Sequence, residues 1–230
     1  MSSKRILVTG ASRGIGLELV RQLSDSGHQV LALSRNAGGL EKLASDCETL
    51  NALQTNITSD TGIDKVVKFV NDNWGTVDIV IHNAGALLHK PLKETTVDDF
   101  QRIYQVNVFA VAELTRRLDP FFVEGTHVVA ISSMGGIQGS MKFAGLAAYS
   151  SSKGAVITLM ELLAEEYKER GVSFNALALG AVQTEMLKEA FPDYDAPVTA
   201  REMATYISEF ALKGHKLFNG KVLQVSNSTP

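Results

Sequence analysis

Seven short apolar runs, separated by longer stretches with the character of helices, limit most strongly what this chain can fold into. In order they read RILVTG, HQVLALS, TLNALQ, VDIVIHNAG, THVVAISS, VSFNALALG and GKVLQV. Most are nearly continuous in apolar residues rather than alternating, which is typical of strands buried on both faces. Helices are predicted to start near Gly14, Leu40, Asp60, Val97, Ala147 and Thr199. The pattern predicts an α/β fold, with helices on both faces of an open, doubly wound sheet of seven strands.

Length and charge restrict the classes of partner. The 230 residues, of which 45% are hydrophobic, suit one compact domain spanning 1–230. A formal net charge of -3 gives no basic surface for nucleic acid or an anionic membrane, so we expect a small-molecule partner. Cys47 is the only cysteine, so we expect no disulfide and no metal site. The first apolar run is too short for a signal sequence or membrane span, which predicts a cytoplasmic protein.

The segment ILVTGASRGIG places Gly10, Gly14 and Gly16 between the first predicted strand and a helix. Glycines let the backbone turn sharply and approach a pyrophosphate, and a helix N-terminus offers free N–H groups and a positive dipole end. Turns between strands and helices also need glycine, so the context of strand, loop and helix is what makes the motif informative. The loop predicts dinucleotide binding.

The residues after the second strand predict which nicotinamide cofactor binds. A cofactor without a 2′-phosphate is usually held by an acidic side chain about 20 residues after the glycines. Ser34 occupies that place, Arg35 follows it, and Arg13 lies within the glycine loop. Two guanidinium groups, with no carboxylate to repel an anion, favour a 2′-phosphate and hence NADPH. The alternative is that both arginines are solvated surface residues.

Tyr149 and Lys153 stand four positions apart in AAYSSSKGAV. On a helix such residues share a face, so the phenol and the ammonium can point into one crevice. We expect the charge of Lys153 to lower the pKa of Tyr149 toward acid–base work near neutral pH. Pairs of this kind also arise by chance on many helices, so their companions matter.

Polar residues accompany this pair at two other places. Ser132 and Ser133 end the fifth predicted strand, where a hydroxyl can bond a carbonyl oxygen as charge develops on it, although serines there are also ordinary turn residues. Asn107 stands alone in a long apolar helix, so its amide either bonds neighbouring backbone or faces a cavity.

Taken in order, TGASRGIG, HNAG, Asn107, Ser133, Tyr149 and Lys153 resemble the short-chain dehydrogenase/reductase family over essentially the whole chain. The resemblance implies a Rossmann-like sheet of seven parallel strands, a nicotinamide cofactor and a homodimer or homotetramer. It implies catalytic roles for Asn107, Ser133, Tyr149 and Lys153, with Asn107 holding a water that relays protons. It implies cofactor contacts from Gly10, Ser12, Arg13, Gly14, Ile15, Gly16, Arg35, Asn56, Ile57, Asn83, Ala84, Gly85, Tyr149, Lys153, Gly180, Val182 and Thr184.

The chain departs from the family's pattern in several places. Leu179 stands where a proline is usual, and Asn56 replaces an Asp, which weakens an expected adenine contact. Ser133 and Tyr149 are further apart than is usual, with the extra residues in GGIQGSMKFAGLA. The ending NGKVLQVSNSTP lacks the glycine-rich tail of tetrameric members. A segment with two prolines, residues 189–200, predicts a short substrate lid around 186–200.

The resulting hypothesis is a reductase that uses NADPH to convert a ketone or aldehyde to an alcohol, or the reverse, with Tyr149 as general acid or base. One alternative is a nucleotide-sensing or scaffold protein with weak catalysis; another is a sugar-nucleotide epimerase or dehydratase, for which the chain is short. The substrate is left open. The candidate lining residues, each equally compatible with ordinary packing, are Leu87, Leu88, Met134, Phe143, Met186 and Phe191.

Overall fold

The computed structural model describes residues 2–36, 38–45 and 47–226. The predicted 1–230 domain and its tail therefore include residues 1, 37, 46 and 227–230, which lie outside the described residues. Over the described ranges, none of the helices combines the length and apolar character needed to cross a membrane.

All seven predicted strands are present and form one parallel sheet. They are β1 (Arg5–Thr9), β2 (Gln29–Ser34), β3 (Leu50–Gln54), β4 (Val77–His82), β5 (Phe122–Ser133), β6 (Ser173–Leu179) and, last along the chain, β9 (Lys221–Val225). Two further short strands, β7 (Val182–Gln183) and β8 (Val198–Thr199), pair separately. The strand order is β3-β2-β1-β4-β5-β6-β9, so the chain winds outward in both directions from β1.

Helices connect the strands and cover both faces of the sheet. They are α1 (Gly14–Asp25), α2 (Gly38–Ser45), α3 (Asp60–Asn73), α4 (Val97–Tyr104), α5 (Ala110–Leu118), α6 (Ala147–Glu166), α7 (Glu185–Ala190) and α8 (Ala200–Lys213). The predicted helix starts agree with these bounds within two residues. Side-chain caps explain three of them, because Ser59, Thr96 and Thr199 each accept a hydrogen bond from a first-turn N–H group.

The core divides into two layers because alternate strand residues point to opposite faces. Leu7 of β1 packs in the layer beneath α3, α5 and α6, whereas its neighbours Ile6 and Val8 pack beneath α1, α2 and α8. Ile6, Leu7 and Val8 are fully buried although they point to opposite faces of β1, which is why all three positions are apolar. The predicted doubly wound α/β fold is confirmed.

The structure differs from the sequence-based expectation around Asn107. The predicted long helix consists of α4, a π-helical turn at Gln105–Phe109, and α5. A π turn inserts one extra residue into the helical ladder, and such turns occur frequently at functional sites. The predicted lid also contains more regular structure than expected, namely α7 and β8.

Two histidines are buried in the sheet as neutral groups. His82, at the end of β4, contacts the Thr115 hydroxyl at 3.0 Å through Nε2, in keeping with its expected structural role. His127 of β5 donates from Nδ1 to the Ala211 carbonyl and accepts from the Asn175 amide. Burial lowers the pKa of His82 to about 4 and that of His127 to about 4.

This burial predicts acid sensitivity. Unfolded histidine binds protons below a pH of about 6.5, whereas these two stay neutral in the fold until about pH 4. The unfolded state therefore binds more protons in that window, and the free energy of unfolding falls as the pH drops, by about 2–3 kcal/mol for each group. Urea titrations at pH 7 and pH 4.5 measure the fall, and His82→Gln should reduce it. An identical pH dependence in this variant would contradict the assignment.

Candidate active site

A cavity of about 870 Å³ opens at the carboxyl ends of the strands, beside the point where the strand order reverses between β1 and β4. Open α/β sheets bind their ligands at this position, because the connections leave β1 and β4 toward opposite faces and separate there. Every residue predicted above to contact a cofactor lines this one cavity, and so does Ser133. Asn107 is the exception among the predicted site residues, since it lies behind the cavity wall.

The glycine loop is fixed against the segment that follows β4. Gly10 has a φ of +68°, and a Cβ there would lie 2.7 Å from the Cα of Ala84. A Cβ on Gly16 would lie 2.1 Å from the Gly10 carbonyl oxygen. The Asn83 amide donates to the carbonyls of Thr9 and Gly10, both at 3.1 Å. Asn83 therefore braces the loop, and only glycine permits these approaches.

Helix α1 begins at this loop with its N-terminal groups uncovered. Its first turn carries no acidic residue, and the cap residue, Arg13, makes no side-chain hydrogen bond to the helix backbone. Free N–H groups and the positive end of the helix dipole thus face the cavity, as binding of a pyrophosphate requires. The cradle therefore fits a dinucleotide.

The far end of the cavity is formed by residues that follow β2 and β3. Arg35 is exposed there, and the Ser34 hydroxyl donates to the Asn36 carbonyl at 2.7 Å. Asn56 and Ile57 lie opposite as lining residues. The amide oxygen of Asn56 accepts from the Thr58 hydroxyl at 2.9 Å, so this oxygen already has a partner within its own turn.

Arg13 forms an ion pair that the sequence did not predict. Its Nη1 lies 2.7 Å from Oε1 of Glu189, at the end of α7. This hydrogen bond is the main cause that raises the pKa of Arg13, with smaller contributions from the charges of Glu189 and Glu185. The expectation that no carboxylate stands near the arginines is therefore wrong. No local motif connects residues 13 and 189, so only the folded chain reveals the pair.

Tyr149 and Lys153 lie on the face of α6 that is turned toward the sheet. Lys153 is 5% exposed, and its ammonium donates to the Ile131 carbonyl at 2.8 Å. The ammonium nitrogen lies 5.8 Å from the centroid of the Tyr149 ring. Burial lowers the pKa of Lys153 to about 8. The predicted side-by-side placement of the two groups is what the structure has.

The predicted lowering of the Tyr149 pKa is wrong, because another effect is larger. Burial raises the pKa of Tyr149, and a hydrogen bond with Ser133 only partly opposes the rise. The phenol therefore keeps its proton at neutral pH. This is the form required of a proton donor.

The two serines at the end of β5 have different surroundings. Ser132 is buried, and its hydroxyl donates to the Lys153 carbonyl at 2.8 Å, which ties β5 to α6. The Ser133 hydroxyl accepts from the Gly135 N–H at 3.3 Å and is bonded to Tyr149. Of the two, Ser133 is the one beside the phenol, as the family resemblance implies.

Both the nitrogen and the oxygen of the Asn107 amide have protein partners. Its amide nitrogen donates to the Ala86 carbonyl at 3.0 Å and to the Ser152 hydroxyl at 2.9 Å, and its amide oxygen accepts from the Ala86 N–H at 2.8 Å. The side chain therefore joins the π turn to the loop after β4 and to α6. Ser152 is a member of this network that the sequence reasoning missed.

The loops after β6 complete the wall. Leu179, Gly180, Val182 and Thr184 all line the cavity, and the Thr184 hydroxyl also caps α7 by accepting from Leu187 N–H. The substrate end is formed by apolar side chains. Those predicted are Leu87, Met134, Phe143, Met186 and Phe191, to which the structure adds Met141, Leu187 and Tyr194. Leu88, also predicted, does not line it.

Among the described residues, no three His, Cys, Asp or Glu side chains lie together in a way that could hold a metal ion. The chemistry that the cavity can offer its contents is proton transfer from Tyr149, hydrogen bonding from Ser133 and anion binding at the glycine loop.

Comparison with known proteins agrees with this geometry. The model of the short chain dehydrogenase family matches residues 4–195. The 3-oxoacyl-[acyl-carrier-protein] reductase FabG of Vibrio harveyi is 27% identical over 237 residues, covering 98% of this chain and 97% of the relative. Carbonyl reductase [NADPH] 2 of Sus scrofa is 30% identical over 202 residues, covering 88% of this chain and 80% of the relative.

A solved structure shows the same architecture. The 3-ketoacyl-(acyl-carrier-protein) reductase from Brucella melitensis, complexed with NADH, matches with a TM-score of 0.87 and 25% identity, and 96% of each chain is covered. The family model alone spans well over half of the 230 residues. The chain belongs to the short-chain dehydrogenase family of oxidoreductases.

Proposed function

We propose that this chain reduces a neutral, largely apolar ketone or aldehyde to an alcohol with NADPH, or catalyses the reverse reaction. The observation that carries the proposal is the placement of Ser133, Tyr149 and Lys153 in the same cavity as the glycine loop. A nucleotide sensor or scaffold needs the loop but has no use for a half-buried, protonated phenol beside a hydroxyl. That alternative is therefore not favoured.

A nicotinamide cofactor held at the glycine loop would supply the hydride for reduction of the carbonyl carbon. The Ser133 hydroxyl stabilises the negative charge that develops on the carbonyl oxygen, and the Tyr149 phenol gives that oxygen its proton. Lys153, fixed by the Ile131 carbonyl, holds a positive charge near the phenol as it loses the proton. Asn107 fixes the loop and helix that carry these groups.

Two of the arginines that line the cavity, Arg13 and Arg35, favour NADPH over NADH. Arg35 directly follows Ser34, which stands where a carboxylate would otherwise select the unphosphorylated ribose, and the Arg35 guanidinium suits bidentate phosphate binding. Arg13 would add a second phosphate contact if its guanidinium left Glu189 and bound the 2′-phosphate of NADPH. The name of the Sus scrofa relative specifies NADPH, whereas the Brucella melitensis structure contains NADH.

The substrate class follows from the cavity wall. Every lining residue that segments 134–150 and 186–194 contribute is uncharged, and most are apolar. The charged lining residues are Arg13, Arg35, Arg102, Lys153 and Glu185, which come from other segments. Because burying a charge without a partner is costly, this end selects neutral molecules.

Other features of the organisation stay predictions. The proposed unit is one dinucleotide-binding domain over 1–230, with residues 186–200 as a lid and a cytoplasmic location. A homodimer or homotetramer is supported by exposed apolar side chains on the helical faces, Phe109 at 51% and Leu162 at 57% exposure.

Substitution of the two hydroxyl groups tests the proposed chemistry. Tyr149→Phe should lower kcat at least about 100-fold, because the proton donor is lost. Ser133→Ala should lower it about 100-fold, because one donor to the developing oxyanion is lost. Steady-state rates of NADPH oxidation with a panel of aldehydes, ketones and diketones measure both effects.

The neighbouring Ser132→Ala is the matched control. It removes the bond to the Lys153 carbonyl and should cost about 1–2 kcal/mol of stability while retaining most of the activity. NADPH affinity, measured by fluorescence titration, should be unchanged in Tyr149→Phe. Full activity in that variant would contradict the assigned proton donor.

Cofactor choice provides a separate prediction. Arg35→Ala should weaken NADPH binding about tenfold or more and leave NADH binding nearly unchanged, because only NADPH carries the 2′-phosphate. Glu189→Gln should tighten NADPH binding by up to about fivefold, since Arg13 no longer leaves an exposed ion pair. Isothermal titration with both nucleotides measures each ratio. Equal changes for NADPH and NADH would refute the phosphate roles.

A further inference from the structure

His89 lies between the two sides of the substrate entrance. One side is the lid, residues 186–200, and the other is residues 135–146, here named the rim loop. Nδ1 of His89 is 3.1 Å from the carbonyl oxygen of Ala190 in the lid, and Nε2 is 3.2 Å from the carbonyl oxygen of Ala144 in the rim loop. A single imidazole thus connects both sides.

Ring packing supports this position. The His89 ring lies 4.9 Å from the Phe191 ring between centroids, and Phe191 in turn lies 6.5 Å from Phe143. Both phenylalanines line the cavity. Gly145, with a φ of +85°, lets the rim loop approach, because a Cβ there would lie 2.5 Å from Cδ2 of His89. The histidine is therefore packed against the residues that enclose the substrate.

The two bonds cannot both form with a neutral ring. A neutral imidazole carries one N–H and can donate from one nitrogen only, whereas an imidazolium donates from both. Both partners of His89 are carbonyl oxygens, which only accept. The observed geometry is thus fully satisfied only when His89 is protonated.

We propose that His89 is a positioning residue for substrate binding, whose imidazolium form ties the lid to the rim loop and whose neutral form releases one of them. Histidine ordinarily changes its charge between pH 5 and 8. The enclosure of the substrate is therefore stronger at mildly acidic than at mildly basic pH. The predicted effect on substrate binding rests on the proposed carbonyl reduction. The predicted attachment of the lid to the rim loop does not depend on it.

Several charged groups lie on the elements around His89. They are Lys90, Lys142, Lys188, Glu189, Asp193 and Asp195. Lys90 is held by Asp99, Lys188 by Asp195 and Glu189 by Arg13. Lys142 donates to the Ile137 carbonyl and the Ser140 hydroxyl. Asp193→Asn is therefore a useful control for a charge effect from the lid.

Amide hydrogen exchange of the full-length protein tests the attachment of the lid by His89 without requiring turnover. Protection of residues 185–198, corrected for the intrinsic exchange rate at each pH and compared with α3, should fall by about threefold to tenfold between pH 5.5 and pH 8. His89→Phe keeps a ring against Phe191 but has no donor, so its lid should show no such fall. Asp193→Asn should behave as the unmodified protein.

The proposal would be overturned if lid protection had the same pH dependence in His89→Phe as in the unmodified protein. It would also be overturned if lid protection in the unmodified protein did not depend on pH. Should His89→Phe fail to fold, His89→Gln retains one donor that does not titrate, and it should give intermediate, pH-independent protection. Retention of the full pH-dependent fall in His89→Gln would likewise overturn the proposal.

Kinetics with 1-phenylpropane-1,2-dione as a neutral probe adds a substrate readout. The KM for the dione should rise with pH in the unmodified protein and stay flat in His89→Phe, with kcat measured separately at each pH. The affinity for NADPH should be the same in both proteins. If the dione is not reduced at all, the proposed function fails for this substrate class, and hydrogen exchange alone still decides the role of His89.

Discussion

The buried hydrogen bond from the Lys153 ammonium to the Ile131 carbonyl is the contact on which the site depends. It ties α6 to β5 at the edge of the sheet, and the bond from Ser132 to the Lys153 carbonyl ties the same two elements a second time. Because Tyr149 is one helical turn away, its phenol is fixed relative to the sheet edge. Together with the apolar packing of α6, these bonds hold Tyr149, the proposed proton donor, beside the cavity.

The same edge of the sheet combines rigid and adjustable parts. The glycine loop is locked to Ala84 by close backbone contact and by the amide of Asn83, so a dinucleotide meets a preformed cradle. Residues 186–200, the proposed lid, in contrast carry an exposed ion pair between Glu189 and Arg13, in addition to the pairing of β8 with β7 and the ring packing of Phe191. Exposed pairs contribute little stability, so the lid can exchange them for ligand contacts at small cost.

Sequence patterns predicted the sheet and most of the cavity because those features depend on local information. Apolar runs buried on both faces predicted the strands, and a spacing of four residues placed Tyr149 and Lys153 on one helix face. The sign of the Tyr149 pKa shift was missed because it depends on burial, which only the packed structure defines. The pair of Arg13 with Glu189 likewise arises from a contact between distant segments.

The protonation state of Tyr149 is the most direct test, because the proton it holds is the one that reduction requires. An ultraviolet difference titration of the phenolate band, comparing the unmodified protein with Tyr149→Phe and without nucleotide, isolates this residue from the other tyrosines. Burial predicts that Tyr149 ionises above the ordinary tyrosine pKa of about 10. Ionisation below that value would show that the charge of Lys153 outweighs burial, and ionisation below neutral pH would contradict the claim that the free site holds a protonated donor.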